Sequence, residues 1–479
     1  MNQDRLSGLD ASFLHLERDG AHMHVASTMI FDGSSPDFEE FRAHVEARLH
    51  LVPRFRQKLA FVPLGQGRPV WVDDPHLNLD YHVRHTALPS PGSEEQLRNF
   101  AARAFSQGLD RSKPLWELWV VDGLEGDRFA IVCKTHHCLV DGVSGVDITT
   151  VLFDAQPEPA ELEPGPQWFA RPEPGGPELL ASALLERASQ PTELVRGARA
   201  LVRRPRRALG AVRDAIGAAG TFAGGGLAAP PSPLTRDIGS HLRFAWVRAE
   251  LADLRRIKNA HGGTINDAVL SVVSGALGRH LRSLGYPTGD LELMAMVPVS
   301  VRATDAHGAL GNQVAAMMAP LPVWCEDPLE RLEIVSERMG DLKGSGQAVG
   351  ASLLTELSDF APPTIASQAA RLQSRQRFFN LVVTNVPGPQ FPLYVLGRRM
   401  LDIFPMVPLA KKQAVCVGIM SYDGGMHFGL IGDYEAMPML DSLAADLADA
   451  LAELAATAPP AEESASKRRA ARERTAGSR

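Results

Sequence analysis

A strand, a loop of ionisable residues and a helix follow one another in the first third of the chain, and this order strongly constrains the fold. Apolar side chains alternate over residues 128–135, which predicts a β-strand. The loop His-His-Cys-Leu-Val-Asp-Gly follows at 136–142, and residues 143–153 have the pattern of a helix. Loops that leave a strand often present reactive side chains. The sequence therefore predicts an α/β, or α+β, fold with its chemistry in this loop.

Composition is that of an ordinary globular protein. Hydrophobic residues make up 45% of the chain. Its 479 residues are enough for two or three domains. The formal net charge of −7 argues against nucleic acid as a partner. Four cysteines without a CxxC pair fit a reducing compartment. Without a signal-like segment or a run of 18 apolar residues, we expect a cytoplasmic protein with no signal peptide or transmembrane helix.

Two segments rich in proline and glycine, at 156–177 and 224–233, have the composition of flexible joints. Between them lies a basic amphipathic stretch at 196–213, which we interpret as either a membrane-docking segment or a solvated linker helix. The predicted organisation is an N-terminal domain at 1–160, a linker at 161–233, a second domain at 234–458 and a disordered basic tail at 459–479.

The second half of the chain carries clear signals for helices and strands. Residues 251–261 have a helical pattern that Gly262 ends. Thr264 is a good N-cap for the next helix, with Asp267 three residues later in the position of a capping box. The other predicted elements are buried strands at 291–301 and 380–385 and a last helix at 440–456.

The loop at 136–142 allows three interpretations on its residues alone. A histidine pair in a soluble protein is often only a surface or core feature. Histidine and aspartate are also metal ligands, but the sequence has no second spaced cluster of ligands, so we expect no metal site. In the third interpretation a neutral imidazole takes a proton from a hydroxyl group and returns it to a leaving group, as in acyl transfer.

The loop has the form HHxxxDG, the signature of the chloramphenicol-acetyltransferase-like superfamily, which includes peptide-synthetase condensation domains. Within it, the chain resembles the bacterial bifunctional wax ester synthase/acyl-CoA:diacylglycerol acyltransferase family from about Leu6 to Leu454. The matching segments are LSGLDASFLHLE (6–17), MHV (23–25), PLWE (114–117), HHCLVDG (136–142), ND (266–267), VPVSVR (297–302), GNQ (311–313), FNLVVTNVPGPQFPLY (379–394) and SYDGGMHFGLIGD (421–433).

This resemblance implies two chloramphenicol-acetyltransferase-like domains, each a mixed β-sheet with helices, and an active-site tunnel at their interface. It implies an acyl-CoA-dependent O-acyltransferase that makes triacylglycerol from diacylglycerol, with wax ester synthesis from long-chain alcohols as a second activity. Acyl-CoA would be a substrate, and no cofactor is expected. The expected partners are acyl-CoA, diacylglycerol or a long-chain alcohol, and an anionic membrane surface or lipid droplet. The protein would lie on the inner membrane face or on lipid bodies.

The family's motif assigns roles within the loop. His137 would be the general base, and His136 would support the loop. Asp141 would be a structural anion, followed by the permissive Gly142. Cys138 is expected to be a small filler rather than a nucleophile. Arg54 or Arg56 is the expected partner of Asp141, by analogy with condensation domains.

Other motif residues keep two interpretations each. Pro114, Leu115 and Trp116 are expected to pack in the core or to contact substrate, with packing favoured. Asn266 and Asp267 either cap a helix or, through Asn266, orient the active-site loop. Arg302 either forms a structural ion pair or touches the phosphates of CoA.

Three alternatives to the predicted function stay open at this point. The first is a metal-dependent hydrolase built on the histidine pair. The second is an acyltransferase of the same superfamily that acts on another hydroxylated lipid. The third is a non-catalytic protein associated with lipid bodies.

Overall fold

Two six-stranded β-sheets form the framework of the described part of the chain. The computed structural model describes residues 4–17, 20–139, 151–159, 165, 167–186, 229–300, 314–344 and 379–460. Helices and sheets together confirm the mixed α/β class expected from the sequence.

The strands are, in chain order, β1 (His24–Asp32), β2 (Gln57–Ala60), β3 (Val70–Asp73), β4 (Val83–Ala87), β5 (Trp116–Leu124), β6 (Arg128–His136), β7 (Leu242–Glu250), β8 (Glu292–Ser300), β9 (Val314–Pro322), β10 (Leu381–Pro387), β11 (Tyr394–Val395), β12 (Arg398–Met406), β13 (Val415–Tyr422) and β14 (Gly425–Asp433). The helices are α1 (Gly8–Leu16), α2 (Phe38–Arg48), α3 (Leu79–His82), α4 (Glu94–Ser106), α5 (Leu251–His261), α6 (Ile265–Ser283), α7 (Pro328–Gly344) and α8 (Leu440–Ala456). None of these described helices combines the length and the apolar character needed to cross a bilayer.

The first sheet has the strand order β11-β12-β1-β6-β5-β4, and the second has the order β7-β14-β13-β10-β8-β9. Strand β12 pairs with β1 in an antiparallel register that sets Met406 opposite Ala26. A segment near residue 400 therefore completes a sheet whose other long strands lie before residue 137. No local pattern in the sequence predicted the pairing of β1 with β12, and the domain boundaries stay a prediction.

Apolar contacts join the two sheets. Val132 and Phe404 of the first sheet belong to one buried cluster with Trp246 and Ile431 of the second. The rings of Trp246 and Phe404 stack with their centroids 4.4 Å apart. Strand β12 approaches β14 so closely that a Cβ atom on Gly429 would collide with the carbonyl group of Pro405. Glycine is required at position 429 because any side chain would push the two sheets apart.

An ion pair network reinforces the same junction. Arg248 on β7 donates to Glu94 on α4 at 2.8 and 2.9 Å, and to Asp402 on β12 at 2.9 and 3.0 Å. These contacts raise the pKa of Arg248 although burial opposes the shift. A permanently charged guanidinium group therefore ties three elements together.

Local predictions in the second half are confirmed. Helix α5 has the bounds expected from its pattern and ends at Gly262, whose φ is 84°. The last helix, α8, also has its expected bounds, and the strands predicted at 291–301 and 380–385 are β8 and β10. The second sheet and its helices bury a large apolar cluster, and many of the buried side chains belong to α6.

Several sequence predictions concern residues outside the described ranges. They are most of the helix predicted at 143–153, of which 151–152 are helical, the basic stretch at 196–213, Arg302, and the tail beyond residue 460. Asp141 and Gly142 also lie outside these ranges.

Candidate active site

Strand β6 ends at the histidine pair and holds it between its two neighbouring strands. The antiparallel register places His24 of β1 directly opposite His136. The main-chain N–H of His136 donates to the carbonyl of Leu115 at 2.9 Å, and that of His137 donates to the carbonyl of Met23 at 2.8 Å. The two histidines therefore sit at a fixed position where the strand becomes a loop.

The His137 side chain lies against α1. Its imidazole stacks on the ring of Phe13, with centroids 4.0 Å apart and planes at 20°. The Nδ1 atom is shielded from solvent and makes no hydrogen bond to the described residues. Burial lowers the pKa of His137, and its own main-chain carbonyl opposes the shift only in part. The ring is therefore neutral at physiological pH and able to accept a proton.

His136 has a different environment from its neighbour. It is only 1% exposed, and its Nδ1 atom accepts the main-chain N–H of Cys138 at 3.1 Å. Because a neutral imidazole has one acceptor nitrogen, this bond assigns the proton to Nε2, which lies 3.5 Å from a carboxylate oxygen of Glu17. These contacts support the predicted role of His136 in holding the loop.

Glu17 is a site residue that the sequence analysis did not single out. Its carboxylate pairs with Arg111 and lies 3.2 Å from His22 Nδ1 and 3.3 Å from His24 Nε2. Burial acts to raise the pKa of Glu17, but its contacts with these three groups and with His136 outweigh burial and hold the pKa well below its usual range. A permanently ionised carboxylate therefore stands beneath the loop.

Little in the sequence could have revealed this cluster. A glutamate at the end of a short helix is typical of an exposed residue, and the partner Arg111 is 94 positions away. The two histidines spaced two residues apart were the one available signal. Burial lowers the pKa of His24 to about 4, so this ring is neutral too.

The main-chain N–H groups of the described loop residues all have acceptors. His136 and His137 donate to Leu115 and Met23, the residues just before β5 and β1. Cys138 donates to a ring nitrogen, and Leu139 donates to the carbonyl of His136 at 2.9 Å. Donors for a tetrahedral oxyanion must therefore come from other residues. The Cys138 thiol is buried, which raises its pKa and makes it a poor nucleophile, as expected for a filler.

The Pro-Leu-Trp segment lies inside the core next to this loop. Leu115 and Trp116 have no exposed surface, and Pro114 is buried as well. The Trp116 indole N–H donates to the carbonyl of Phe55 at 2.8 Å, and its ring stacks on His82 with centroids 4.5 Å apart. This geometry favours the packing interpretation of the segment over contact with substrate.

Asn266 and Asp267 lie in the first turn of α6. The Asp267 carboxylate accepts the main-chain N–H of Thr264 at 2.8 Å, while the Thr264 hydroxyl oxygen accepts that of Asp267 at 3.2 Å. This is the predicted capping box. Asn266 is half-buried, and its role toward the loop stays a prediction.

The pairing of Asp141 with Arg54 or Arg56 stays a prediction, since Asp141 lies outside the described residues. Arg54 donates to Asp4 at 2.7 Å, and Arg56 lies over the ring of Trp168, 5.2 Å from its centroid. Each candidate therefore already has a described partner.

The statement that the sequence has no second cluster of possible metal ligands is wrong, because the described residues include one such group. One ligand atom each from Glu17, His22 and His24 lies within 4.8 Å of the other two. The group contacts His136 through Glu17 but contains neither histidine of the loop.

Comparison with known proteins identifies the family of the chain. Residues 6–269 match the family model described as the wax ester synthase/diacylglycerol acyltransferase catalytic domain, and 310–455 match the WS/DGAT C-terminal domain. A Mycobacterium tuberculosis protein named as a probable diacylglycerol O-acyltransferase, tgs1, is 33% identical over 463 residues, covering 95% of this chain and 96% of that protein.

Comparison with solved structures agrees with the family models. The wax ester synthase/diacylglycerol acyltransferase from Marinobacter aquaeolei VT8 superposes with a TM-score of 0.64 at 28% identity, covering 94% of this chain and 98% of that one. The starter condensation domain of rhizomide synthetase superposes with a TM-score of 0.57 at 12% identity, covering 95% and 94% of the two chains, and shows the shared fold. The chain therefore belongs to the wax ester synthase/diacylglycerol acyltransferase family.

Proposed function

We propose that this protein is an acyl-CoA-dependent O-acyltransferase that converts diacylglycerol to triacylglycerol. The observation that carries the proposal is His137, a neutral imidazole held at the end of β6 and stacked on Phe13. Membership of the family and a full-length relative named as a diacylglycerol O-acyltransferase support the choice of reaction and acceptor.

The reaction needs one base and no covalent intermediate on the protein. His137 accepts the proton of the acceptor hydroxyl as its oxygen attacks the thioester carbonyl, and a tetrahedral oxyanion forms. The oxyanion collapses, the carbon–sulfur bond breaks, and the protonated imidazole gives its proton to the departing CoA sulfur. We assign Nε2 as the base because Nδ1 is shielded from solvent.

The surrounding residues hold the base and take no part in bond changes. His136 and Glu17 fix the start of the loop, and Phe13 holds the plane of the catalytic ring. The same chemistry would esterify a long-chain alcohol. The name of the Marinobacter neighbour, which includes wax ester synthase, supports this second acceptor.

The test supplies labelled acyl-CoA with diacylglycerol, with a long-chain alcohol, or with no acceptor, and separates the lipid products. We expect triacylglycerol from the wild type and from His76→Ala, which changes an exposed histidine. His137→Ala should form it about 10²–10⁴-fold more slowly. Release of CoA with free fatty acid as the only product would indicate a hydrolase. No turnover with any acceptor would indicate a lipid-body protein without catalysis.

We further propose that the protein is cytoplasmic and works at an anionic lipid surface, either the inner membrane face or a lipid droplet. The segment 167–186 runs beside the β2–β3 hairpin, where Lys58 pairs with Glu173 at 3.1 Å. Three large apolar side chains of this region are mostly exposed: Leu64 at 85%, Phe169 at 74% and Leu185 at 71%. Exposed apolar groups followed in sequence by seven arginines at 196–213 suit an anionic lipid surface.

Sedimentation with lipid vesicles tests this docking. Leu64→Asp and deletion of 196–213 should each reduce binding to anionic vesicles, and acyl transfer to a short, water-soluble acceptor should be retained. Leu284→Asp, an exposed leucine at the end of α6, is the matched control. Unchanged vesicle binding in both test variants would contradict the proposed surface.

A further inference from the structure

Three side chains next to the catalytic loop converge on one point that no step of acyl transfer uses. Glu17 follows α1, and His22 and His24 precede and begin β1. His22 Nδ1 lies 3.2 Å and His24 Nε2 lies 3.3 Å from the same oxygen, Oε1 of Glu17. The two imidazole rings are parallel, with an interplanar angle of 2° and centroids 5.1 Å apart.

His24 is the observation that points to a ligand. Its side chain is 1% exposed, yet neither ring nitrogen makes a hydrogen bond among the described residues. Nε2 approaches Glu17 at 3.3 Å without the alignment that a hydrogen bond requires. Burial of an imidazole whose nitrogens both lack a hydrogen bond is unfavourable, and such groups in native proteins usually have a partner.

We propose that Glu17, His22 and His24 bind a divalent transition-metal ion of the Zn²⁺ class. Two imidazoles and one carboxylate are a ligand set that zinc accepts, with a fourth position left for water. In a tetrahedral site with zinc–ligand distances near 2.05 Å, neighbouring ligand atoms lie roughly 3.3 Å apart. The distances from His22 Nδ1 and His24 Nε2 to Glu17 Oε1, 3.2 and 3.3 Å, match that spacing.

The ion has a route to the site and a link to the loop. The His22 side chain is 28% exposed, so its ring forms the solvent side, while Glu17 and His24 form the buried side. The second oxygen of Glu17 faces His136 Nε2 at 3.5 Å and also pairs with Arg111. An ion bound at Oε1 would therefore restrain the carboxylate that supports the catalytic loop, without contacting His137.

The described cysteines do not compete for the ion. Cys133, Cys138, Cys325 and Cys416 are all buried, and burial raises the pKa of the Cys138 and Cys416 thiols. A thiolate site is therefore not expected in native protein. Zinc could also bind to exposed histidines, and a variant of one exposed histidine serves as the control for this.

The experiment uses the full chain without an affinity tag, stripped with chelator and titrated with Zn²⁺ by calorimetry, and with Co²⁺ by visible absorption. We expect one ion per chain, the intense absorption of tetrahedral Co²⁺, and a higher melting temperature with zinc. His22→Asn keeps a polar atom near the position of Nδ1 but is a poor zinc ligand. It should weaken binding by more than the roughly 10–100-fold that loss of an outer partner costs.

The controls separate a specific site from adventitious binding. His76→Asn changes an exposed histidine and should bind zinc like the wild type. His24→Ala and Glu17→Gln should abolish the cobalt spectrum, and His22→Asn keeps the test decisive if either buried variant fails to fold. Zinc binding that is equal in His22→Asn and the wild type, or the absence of binding in the wild type, would overturn the proposal.

Discussion

The surroundings of the catalytic loop and the layer around α6 bury very different chemistry. Below the loop, Glu17, His24 and His136 lie within one polar cluster. Around α6, buried apolar side chains such as Leu270 and Leu277 pack against the second sheet. Burial of polar groups around the loop lowers the stability of the protein. The apolar layer around α6 stabilises the protein and contributes no reactive groups. Substitutions in the two regions should therefore separate activity from folding.

The largest effect is expected at the base. His137→Ala should lower kcat/KM for acyl transfer by about 10²–10⁴-fold, because general-base assistance is lost. Its melting temperature should stay close to that of the wild type, because the ring contacts Phe13 rather than the deep core. Steady-state kinetics and thermal unfolding measure the two quantities. If His137→Ala lowered both the activity and the melting temperature, the predicted separation of activity from folding would be wrong.

The opposite pattern is expected in the α6 layer. Leu270 has no exposed surface, and Leu270→Ala should reduce the free energy of unfolding by about 2–5 kcal/mol because it leaves a cavity. Urea unfolding measures the change, and KM for acyl-CoA should be unaffected in the folded protein. Leu284→Ala, at the half-exposed end of the same helix, is the control and should cost far less.

A smaller effect is expected from the ring that supports the base. Phe13→Ala removes the stack on His137. Stacked aromatic pairs contribute about 0.5–1.5 kcal/mol, so kcat/KM should fall by roughly 2–10-fold. Phe13→Tyr retains the ring and should retain most of the activity. Equal rates in Phe13→Ala and the wild type would show that the stack does not orient the base.

The smallest effect is a displacement of the pH profile. Burial lowers the pKa of His137 below its usual 6.5, and the base works only when neutral. Activity should be retained as the pH falls to 6.5 and be lost only as the pH falls through the lowered pKa. At pH 6.5 an unperturbed base would leave half of the maximum, so kcat/KM should exceed half there. An acid limb at or above 6.5 would contradict the solvent-shielded position of the ring.

The sequence predicted those features that local pattern encodes. Helix α5 and its glycine stop, the capping box of Thr264 and Asp267, and the position of β6 before the histidine pair follow from residues within a few positions of one another. The face of β6 that carries Lys134 was less predictable from the sequence. Lys134 on that face is 1% exposed and lies 3.1 Å from Glu117, a buried pairing that alternation alone does not indicate.

Long-range pairings were missed because no local signal encodes them. Glu17 meets Arg111 and His136 only after the strands assemble, and its sequence context is typical of an exposed helix end. The pairing of β12 with β1 joins residues 380 positions apart, such as Ala26 and Met406. Family resemblance indicated the proposed base, whereas the network around it could be seen only in the assembled sheets.

The insertion of β12 into the first sheet has a consequence for biosynthesis. The open side of β1 can be covered by β12 only after residues up to Met406 of the 479 have left the ribosome. Until then it is an unpaired edge next to the strand that carries the histidine pair, and such edges promote aggregation. Nascent chains should therefore depend on chaperones late in translation, and neither half expressed alone should yield a native first sheet.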